Sequence, residues 1–244
     1  MLFELIHSDV CGQFSTPTSA GHCYYILFID DYTRYTAVWV LPDEKSKICT
    51  SAYQLFQAQV DSMEYEVKRF RCNNGPREYD NKIFRLVLAA CSTIYEPCPP
   101  YTQHKNRVAK HMIQTIIKKA RSMMIDFQAP LVFWGKAVNT AVYLHQGTPN
   151  EGLTKRDVHN SYETPYSTPY KMLHAFGKPS HKNDGNEISY KAPLHHLRQL
   201  RGYTSRSIPE PQRHRRFSPK SKQYMMVSYM HTSTTLWRIW EPAF

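Results

Sequence analysis

Apolar residues near the start of the chain fall into three short runs that polar turn residues separate. Residues 23–29 are dense in aromatic and β-branched side chains, which is typical of a buried strand. Residues 3–10 and 35–41 predict two more strands, with Asp9 at the end of the first and a turn at Asp30-Asp31. Together the three runs predict an antiparallel meander.

From Ser46 onward the apolar spacing changes to that of a helix. The residues that share this spacing are Ile48, Ala52, Leu55, Phe56 and Met63. A fourth strand is predicted over residues 66–72 and a second helix after it. The apolar positions of that helix are Ile83, Phe84, Val87, Leu88 and Cys91. A short strand over residues 94–98 then ends at Pro99-Pro100.

The clearest helical pattern covers residues 103–127. Its apolar stripe contains Val108, Met112, Ile116, Ala120 and Met124. Basic residues occupy the other face, namely Arg107, Lys110, His111, Lys118 and Arg121. A further helix begins at Pro130, because proline is favoured in the first turn. The apolar face of that helix contains Trp134, Ala137, Val138 and Ala141.

The order of these elements predicts an α/β fold with helices covering a five-stranded mixed sheet over residues 1–146. Residues 147–194 are rich in proline and charge and predict a long irregular connection. Residues 195–244 lack a helical period, and strands near 224–229 and 235–240 predict a small β module there.

The net charge of +11, from 31 Lys and Arg against 20 Asp and Glu, favours a polyanionic partner. Nucleic acid ranks ahead of an acidic membrane surface, and a basic surface without a partner remains an alternative. No apolar run approaches the ~20 residues of a membrane span, so no membrane partner is expected.

The six cysteines have no paired spacing, so we expect neither a zinc site nor disulfides, and a reducing intracellular compartment fits them. Met1 lies almost directly before the first predicted strand, which indicates a fragment of a longer gene product.

Short motifs along the chain carry a family resemblance through their order and spacing. They are HSDVCG at 7–12, FIDDYTRY at 28–35, NNG at 73–75 with Glu78-Tyr79, PYTQHKN at 100–106, FW at 133–134, AVNTAVYL at 137–144, TPY at 168–170 and GKP at 177–179. In this order they resemble the integrase core of copia-type retrotransposons. YMMVSY at 224–229 and WRIWEP at 237–242 resemble part of the small Src-homology-3-like barrel that follows that core.

The resemblance implies a ribonuclease-H-like fold, DNA as the partner, a nuclear location and a possible homo-oligomer. Such enzymes use the 3′-hydroxyl of element DNA to attack a target phosphodiester. This chemistry uses two Mg²⁺ or Mn²⁺ ions about 3.5–4 Å apart. Three carboxylates converge on these ions, since hard cations prefer oxygen ligands.

By this resemblance Asp9, Asn73 and Lys110 stand at the three carboxylate stations, and only Asp9 retains an acid. An amide brings no negative charge, and Lys110 brings a positive one. At ~4 Å and an effective dielectric near 20, two like unit charges repel by about 4 kcal/mol. We therefore expect Asp9 to pair with Lys110 rather than hold a metal, and the offset of Glu78 and Asp80 argues against rescue.

Three functions remain open at this stage. The first is an inactive integrase remnant that keeps nucleic-acid binding, which is the function we favour. The second is an active enzyme that uses relocated acids, and the third is a non-catalytic DNA-binding or interaction module retained by the host. A structural alternative also exists, in which Asp9 only ends a strand and Lys110 lies on a solvated helix face.

The candidate phosphate-binding residues lie on or beside the long basic helix. They are Lys105, Arg107, Lys118 and Arg121, with Lys110, His111 and Lys119 also within reach of DNA. A second basic cluster, Arg213-His214-Arg215-Arg216, is better explained as a solvated loop.

The departures from the family pattern share one chemical direction. They are Asn73, Lys110, Arg107, His111, Lys171 and Ser228. Each replaces the residue that the family favours through a single G-to-A codon change. This direction is typical of a decaying repeat rather than of selection for a new chemistry.

Overall fold

The structure is a computed structural model that describes residues 1–73, 78–79, 81–99, 106–150, 153 and 168–176, together with the strands at 203–207, 221–229 and 237–240. In this part of the chain no helix combines the length and apolarity needed to cross a membrane.

Five strands form one sheet in the order β3-β2-β1-β4-β5. They are β1 (Leu5–Cys11), β2 (Tyr24–Asp30), β3 (Thr36–Leu41), β4 (Arg69–Asn73) and β5 (Ile94–Cys98). β1, β2 and β3 pair antiparallel, whereas β4 lies parallel to both β1 and β5. The predicted α/β class, a five-stranded mixed sheet flanked by helices, is confirmed.

Helices cover both faces of this sheet. They are α1 (Ser46–Asp61), α2 (Lys82–Ala90), α3 (Arg107–Asp126) and α4 (Trp134–Gln146). A single 3₁₀ turn, Leu131–Phe133, leads from Pro130 into α4, so α4 begins later than the sequence predicts.

The continuous apolar run of β2 follows from its position between two helical layers. Successive side chains of a strand point to opposite faces. Tyr25, Leu27 and Ile29 therefore pack with residues of α3 and α4, while Ile26 and Phe28 pack with residues of α1. All five are fully buried, so both faces of this strand belong to the core.

Aromatic rings dominate the core between the sheet and α1. Phe28 stacks on Phe56 with ring centroids 4.8 Å apart, and Tyr53 meets Phe70 edge to face at 5.1 Å. Because these rings come from β2, α1 and β4, the cluster fixes the positions of the central strands relative to each other.

The core on the other face is formed by α3 and α4. The buried side chains of α3 are Ala109, Met112, Ile116 and Ala120. Val108 and Met124, which the sequence places in the same stripe, are only partly buried because the buried face centres nearer Ala109. A Cβ atom on Gly135 would lie 2.9 Å from Thr18 Cγ2, so this glycine allows α4 to approach the sheet closely.

The turn predicted at Asp30-Asp31 is confirmed. Asp30 accepts hydrogen bonds from Thr33 N at 2.9 Å, from Thr33 Oγ1 at 2.6 Å and from Phe3 N at 3.0 Å. Burial raises the pKa of this carboxyl, and the hydrogen bonds from Thr33 and Phe3 oppose that rise. Asp30 thus closes the hairpin between β2 and β3 and ties it to the start of the chain.

Two regions differ from the predicted organisation. The connection predicted as irregular contains a helix, α5 (Pro169–Phe176), with Met172 and Leu173 buried. Proline at its first position and a hydrogen bond from Lys171 N to Thr168 Oγ1 (3.0 Å) explain where it begins.

The tail contains a three-stranded antiparallel sheet of β6 (Tyr203–Ser207), β7 (Ser221–Tyr229) and β8 (Trp237–Trp240). The last two strands correspond to the predicted ones, whereas β6 was not predicted. Gly75 and the basic cluster at residues 213–216 lie outside the described residues.

Phe56→Ala is expected to lower the free energy of unfolding by about 3–5 kcal/mol, because it leaves a cavity where Phe56 stacks on Phe28. Leu55→Ala is the matched control, since Leu55 is its neighbour on α1 and is 59% exposed. Urea unfolding followed by circular dichroism measures both variants. Equal losses in the two would contradict the described packing of α1.

Candidate functional site

The three predicted stations converge where β1, β4 and α3 meet. The parallel pairing of β1 with β4 ends at Ser8 and Cys72, so Asp9 and Asn73 follow side by side. β1 itself continues to Cys11, because Asp9 still pairs with Leu27 of β2. The prediction that Asp9 ends the strand is therefore wrong, although Asp9 does lie at the end of the β1–β4 pairing.

A chain of amide hydrogen bonds leads from the start of α3 to Asp9. Asn106 Nδ2 donates to Asn73 Oδ1 at 3.2 Å and to Ser8 O at 3.1 Å, and Asn73 Nδ2 donates to Asp9 Oδ1 at 2.8 Å. Since the oxygen of Asn73 is used by Asn106, its nitrogen faces Asp9. The amide of Asn73 therefore presents a donor, not an acceptor, to the carboxylate.

Ser8 and Tyr79 fix the backbone on the other side of Asp9. The Ser8 hydroxyl donates to Leu27 O at 2.8 Å, so its oxygen accepts the hydrogen of the Tyr79 hydroxyl, also at 2.8 Å. Tyr79 is fully buried, and burial raises its pKa well above the usual value, so the hydroxyl stays a donor. This contact ties the segment after β4 to β1.

Asp9 is 8% exposed, and burial raises its pKa to about 6. Three groups oppose that rise, namely the positive charge of Lys110, the backbone N–H of Val10 at 3.2 Å and the amide of Asn73. The carboxylate is therefore only partly compensated, and it titrates close to neutral pH.

Lys110 acts on Asp9 at a distance rather than by direct contact. It lies partly exposed on the first turn of α3, and no ion pair among the described residues joins it to Asp9. The expected direct pairing of these two side chains is therefore not formed, although the charge of Lys110 lowers the pKa of Asp9.

The donor set does not fit a divalent metal site. Within the described ranges, no group of three His, Cys, Asp or Glu side chains could hold an ion. The charge of Glu78 acts on the thiols of Cys49 on α1 and Cys72 on β4, and Glu78 is not among the groups that shift the pKa of Asp9. Asp80 lies outside the described residues.

The basic residues of α3 form a separate surface, which we call the basic face. Its exposed members are Arg107, His111, Lys118 and Arg121. At about 100° per residue these four fall on one side of the helix, opposite the buried stripe. Asp126 is the one acidic residue of α3, so little negative charge offsets them. Lys105 lies outside the described residues.

Sequence reasoning missed two residues that organise the site. Asn106 and Tyr79 were recognised as parts of motifs, but neither was assigned a role. Asn106 directly precedes α3 and is fully buried, and a polar residue before a long helix was the available signal.

The chain is similar in sequence to plant transposon polyproteins. It is 29% identical over 245 residues to the retrovirus-related Pol polyprotein from transposon TNT 1-94 of Nicotiana tabacum, an alignment that covers 99% of this chain and 16% of that protein. It is 25% identical over 182 residues to the Pol polyprotein from transposon RE2 of Arabidopsis thaliana, an alignment that covers 71% of this chain and 12% of that protein. The chain thus spans a small part of these relatives. No family model matches it.

Two solved structures are similar. The catalytic core domain of BIV integrase has a TM-score of 0.47 and 14% identity, covering 70% of this chain and 94% of that one. The HTLV-2 integrase catalytic core domain in complex with magnesium has a TM-score of 0.44 and 12% identity, and the match covers 59% of this chain and 85% of that one. The predicted resemblance to copia-type Pol polyproteins is confirmed by the relatives.

The buried carboxyl of Asp9 predicts an unusual pH dependence. Its pKa is about 6 in the folded protein and about 3.9 when unfolded, so the folded state binds more protons between these values. Stability conferred by Asp9 is therefore greatest below about pH 4 and falls by up to about 3 kcal/mol as the pH rises through 6. Urea unfolding from pH 4 to 7 should show this fall, and Asp9→Asn should abolish it.

Asp43→Asn provides a control of opposite sign. Hydrogen bonding to Lys45 lowers the pKa of Asp43. The contribution of Asp43 to the free energy of unfolding is therefore present at neutral pH and is lost as the pH falls. If Asp9→Asn changed the pH profile in the same direction as Asp43→Asn, the assignment of a raised pKa to Asp9 would be wrong.

Proposed function

We propose that this relative of copia-type Pol polyproteins is a degenerate integrase core that binds DNA and has lost metal-dependent strand transfer. The relatives support the integrase-like core, while the inactivity and the DNA binding are inferred from its side chains. The observation that carries the proposal is the hydrogen bond from Asn73 Nδ2 to Asp9 Oδ1 at 2.8 Å.

This hydrogen bond opposes metal binding for a geometric reason. A cation between the two side chains needs an oxygen from each, but Asn73 directs its nitrogen to Asp9 and its oxygen to Asn106. Turning the amide over would break the contact with Asn106, whose own Oδ1 already has no partner among the described residues. The amide therefore substitutes for the cation as the positively polarised partner of Asp9.

Lys110 adds an electrostatic barrier. Its charge already acts on Asp9, and it would repel a divalent cation held there. At ~4 Å and an effective dielectric near 20, the repulsion between one positive unit charge and a divalent ion is about 8 kcal/mol before relaxation. At the same distance and dielectric, one remaining carboxylate attracts the ion by the same amount, so the charge of Lys110 cancels that attraction. Family members use Mg²⁺ or Mn²⁺, and we propose that neither is bound productively here.

The basic face of α3 supports DNA binding without chemistry. Lysine and arginine side chains release counterions from phosphate, and this needs neither a metal nor a base sequence. The net charge of +11 is consistent with such a partner. A nuclear location and assembly into homo-oligomers are further parts of the proposal, and they follow from the relatedness alone.

A second candidate function is a non-catalytic DNA-binding or interaction module retained by a host. The feature that favours it is the separation of the basic face from the altered stations, because one can persist when the other fails. Suppressed amino-acid change across intact reading frames in related genomes would distinguish retention from decay.

Restoring two carboxylates tests the loss of chemistry. We expect Asn73→Asp combined with Lys110→Glu to bind Mg²⁺ or Mn²⁺, because three acids then converge at one place. At about 100 times Kd the ion adds about 2.7 kcal/mol to the free energy of unfolding, whereas the parent gains nothing. Thermal melts with EDTA or added metal measure this effect, and strand transfer on a 3′-hydroxyl DNA substrate measures the chemistry.

Adding Asp9→Asn to the restored variant is the control, and it should remove the gain in stability. Metal-dependent strand transfer by the parent chain, lost on Asp9→Ala, would overturn the proposed inactivity. Failure of the restored variant to bind metal would overturn the station assignment.

Charge reversal on α3 tests DNA binding. Lys118→Glu with Arg121→Glu is expected to weaken retention on duplex DNA and to reduce the salt slope of log K by up to about 2. Lys47→Glu with Lys82→Glu changes the net charge equally, but these exposed residues lie on α1 and α2, across the sheet from α3. Equal loss in both variants would show that net charge, not the basic face, controls retention.

A further inference from the structure

Lys119 lies on the flank of α3, between the basic face and the layer formed with α4. Its Nζ contacts His145 Nδ1 at 3.3 Å and Thr148 Oγ1 at 3.4 Å. The Thr148 hydroxyl gives its own hydrogen to Leu144 O at 2.7 Å, so its oxygen is an acceptor towards Lys119. Both partners of this amine therefore belong to the end of α4 or the residues just after it.

His145 is a neutral acceptor in this contact. It is 6% exposed, and its pKa is lowered to about 4 by burial, then by the charges of Lys119 and His111. Because Nδ1 accepts from Lys119, the ring hydrogen lies on Nε2, which is buried and has no partner within the described residues. The ring is thus fixed in one tautomer with its lone pair towards Lys119.

Lys119 lacks a negatively charged partner. The ion pairs of the described part of the chain do not include it, and Asp126, the one acid of α3, lies almost two turns further along. The other ionisable groups around it are basic, namely Lys118, Arg121 and His111 on α3 and His145 on α4. Burial lowers its pKa, in contrast to Lys45, which pairs with Asp43 and has a raised pKa.

We propose that Lys119 is a reactive amine that accepts an acyl group from an acyl thioester in preference to the exposed Lys118 of α3. Two N–H bonds of the neutral amine point to His145 Nδ1 and Thr148 Oγ1, so the nitrogen lone pair is left for attack. The lone pair forms a C–N bond with the carbonyl carbon, and the C–S bond breaks with its electron pair. The sulfur leaves as a thiolate, the proton released from nitrogen passes through solvent to this thiolate, and the products are an amide and a thiol.

Acylation of Lys119 would remove one positive charge beside the basic face. A decrease in DNA retention after acylation therefore rests on the proposed DNA binding, whereas the reactivity itself does not. The two ideas can fail separately, because acylation is measured without DNA.

The test uses acetyl-coenzyme A with the folded chain and fragment-ion mass spectrometry of a peptide that contains residues 118 and 119. Lys118 is the internal control, since it is adjacent in sequence and exposed. We expect several-fold faster acetylation of Lys119 at pH 7 and a smaller ratio near pH 10.4, where an ordinary lysine loses its proton. Equal rates at pH 7 would overturn the proposal.

A matched pair of variants tests the geometric cause. Thr148→Asp places a carboxylate beside Lys119, which should stabilise the ammonium and abolish the preference over Lys118. Thr148→Asn introduces an uncharged side chain of the same size as aspartate, and this variant should keep the preference for Lys119 over Lys118. Circular dichroism verifies that both variants fold, which is expected because Thr148 is exposed. An undiminished preference in Thr148→Asp would show that the missing counterion is not the cause.

Discussion

The carboxylate of Asp9 lies where water has little access, and a charge in such a position needs a polarised partner. In an integrase core that partner is a metal ion, whereas here it is the amide hydrogen of Asn73 together with the field of Lys110. Compensation is incomplete, since the pKa of Asp9 remains raised to about 6. Asn73 and the backbone N–H of Val10 both donate to one oxygen of Asp9, Oδ1, and Asn106 holds the Asn73 amide in this orientation.

The scaffold that holds these residues does not depend on their chemistry. Phe28, Phe56 and Phe70 set the spacing of the central strands and α1 through contacts between their rings. The stripe from Ala109 to Ala120 holds α3 against the other face of the sheet. Because burial of apolar area is indifferent to what occupies positions 73 and 110, the packing of the core does not depend on the side chains at these two positions.

The five strands and α1 to α4 can be predicted from the sequence because the spacing of apolar residues in each element matches the faces that it buries. In β2 the apolar run is continuous, because this strand is buried on both faces. The convergence of Asp9 and Asn73 follows from motif spacing and the parallel pairing of β1 with β4. The direction of the Asn73 amide could not be predicted, because it is set by atoms from elements 33 and 64 residues away in sequence. α5 was missed because eight residues give too few turns for a clear period.

The two sides of α3 have a joint consequence. One side packs on the sheet through Met112 and Ile116, and the other presents Arg107 and Lys118 to solvent. A polyanion that binds the outer side more tightly when the inner side is packed would stabilise the folded chain. If nucleic acid is that polyanion, the folded population becomes a function of the nucleic-acid concentration around the chain.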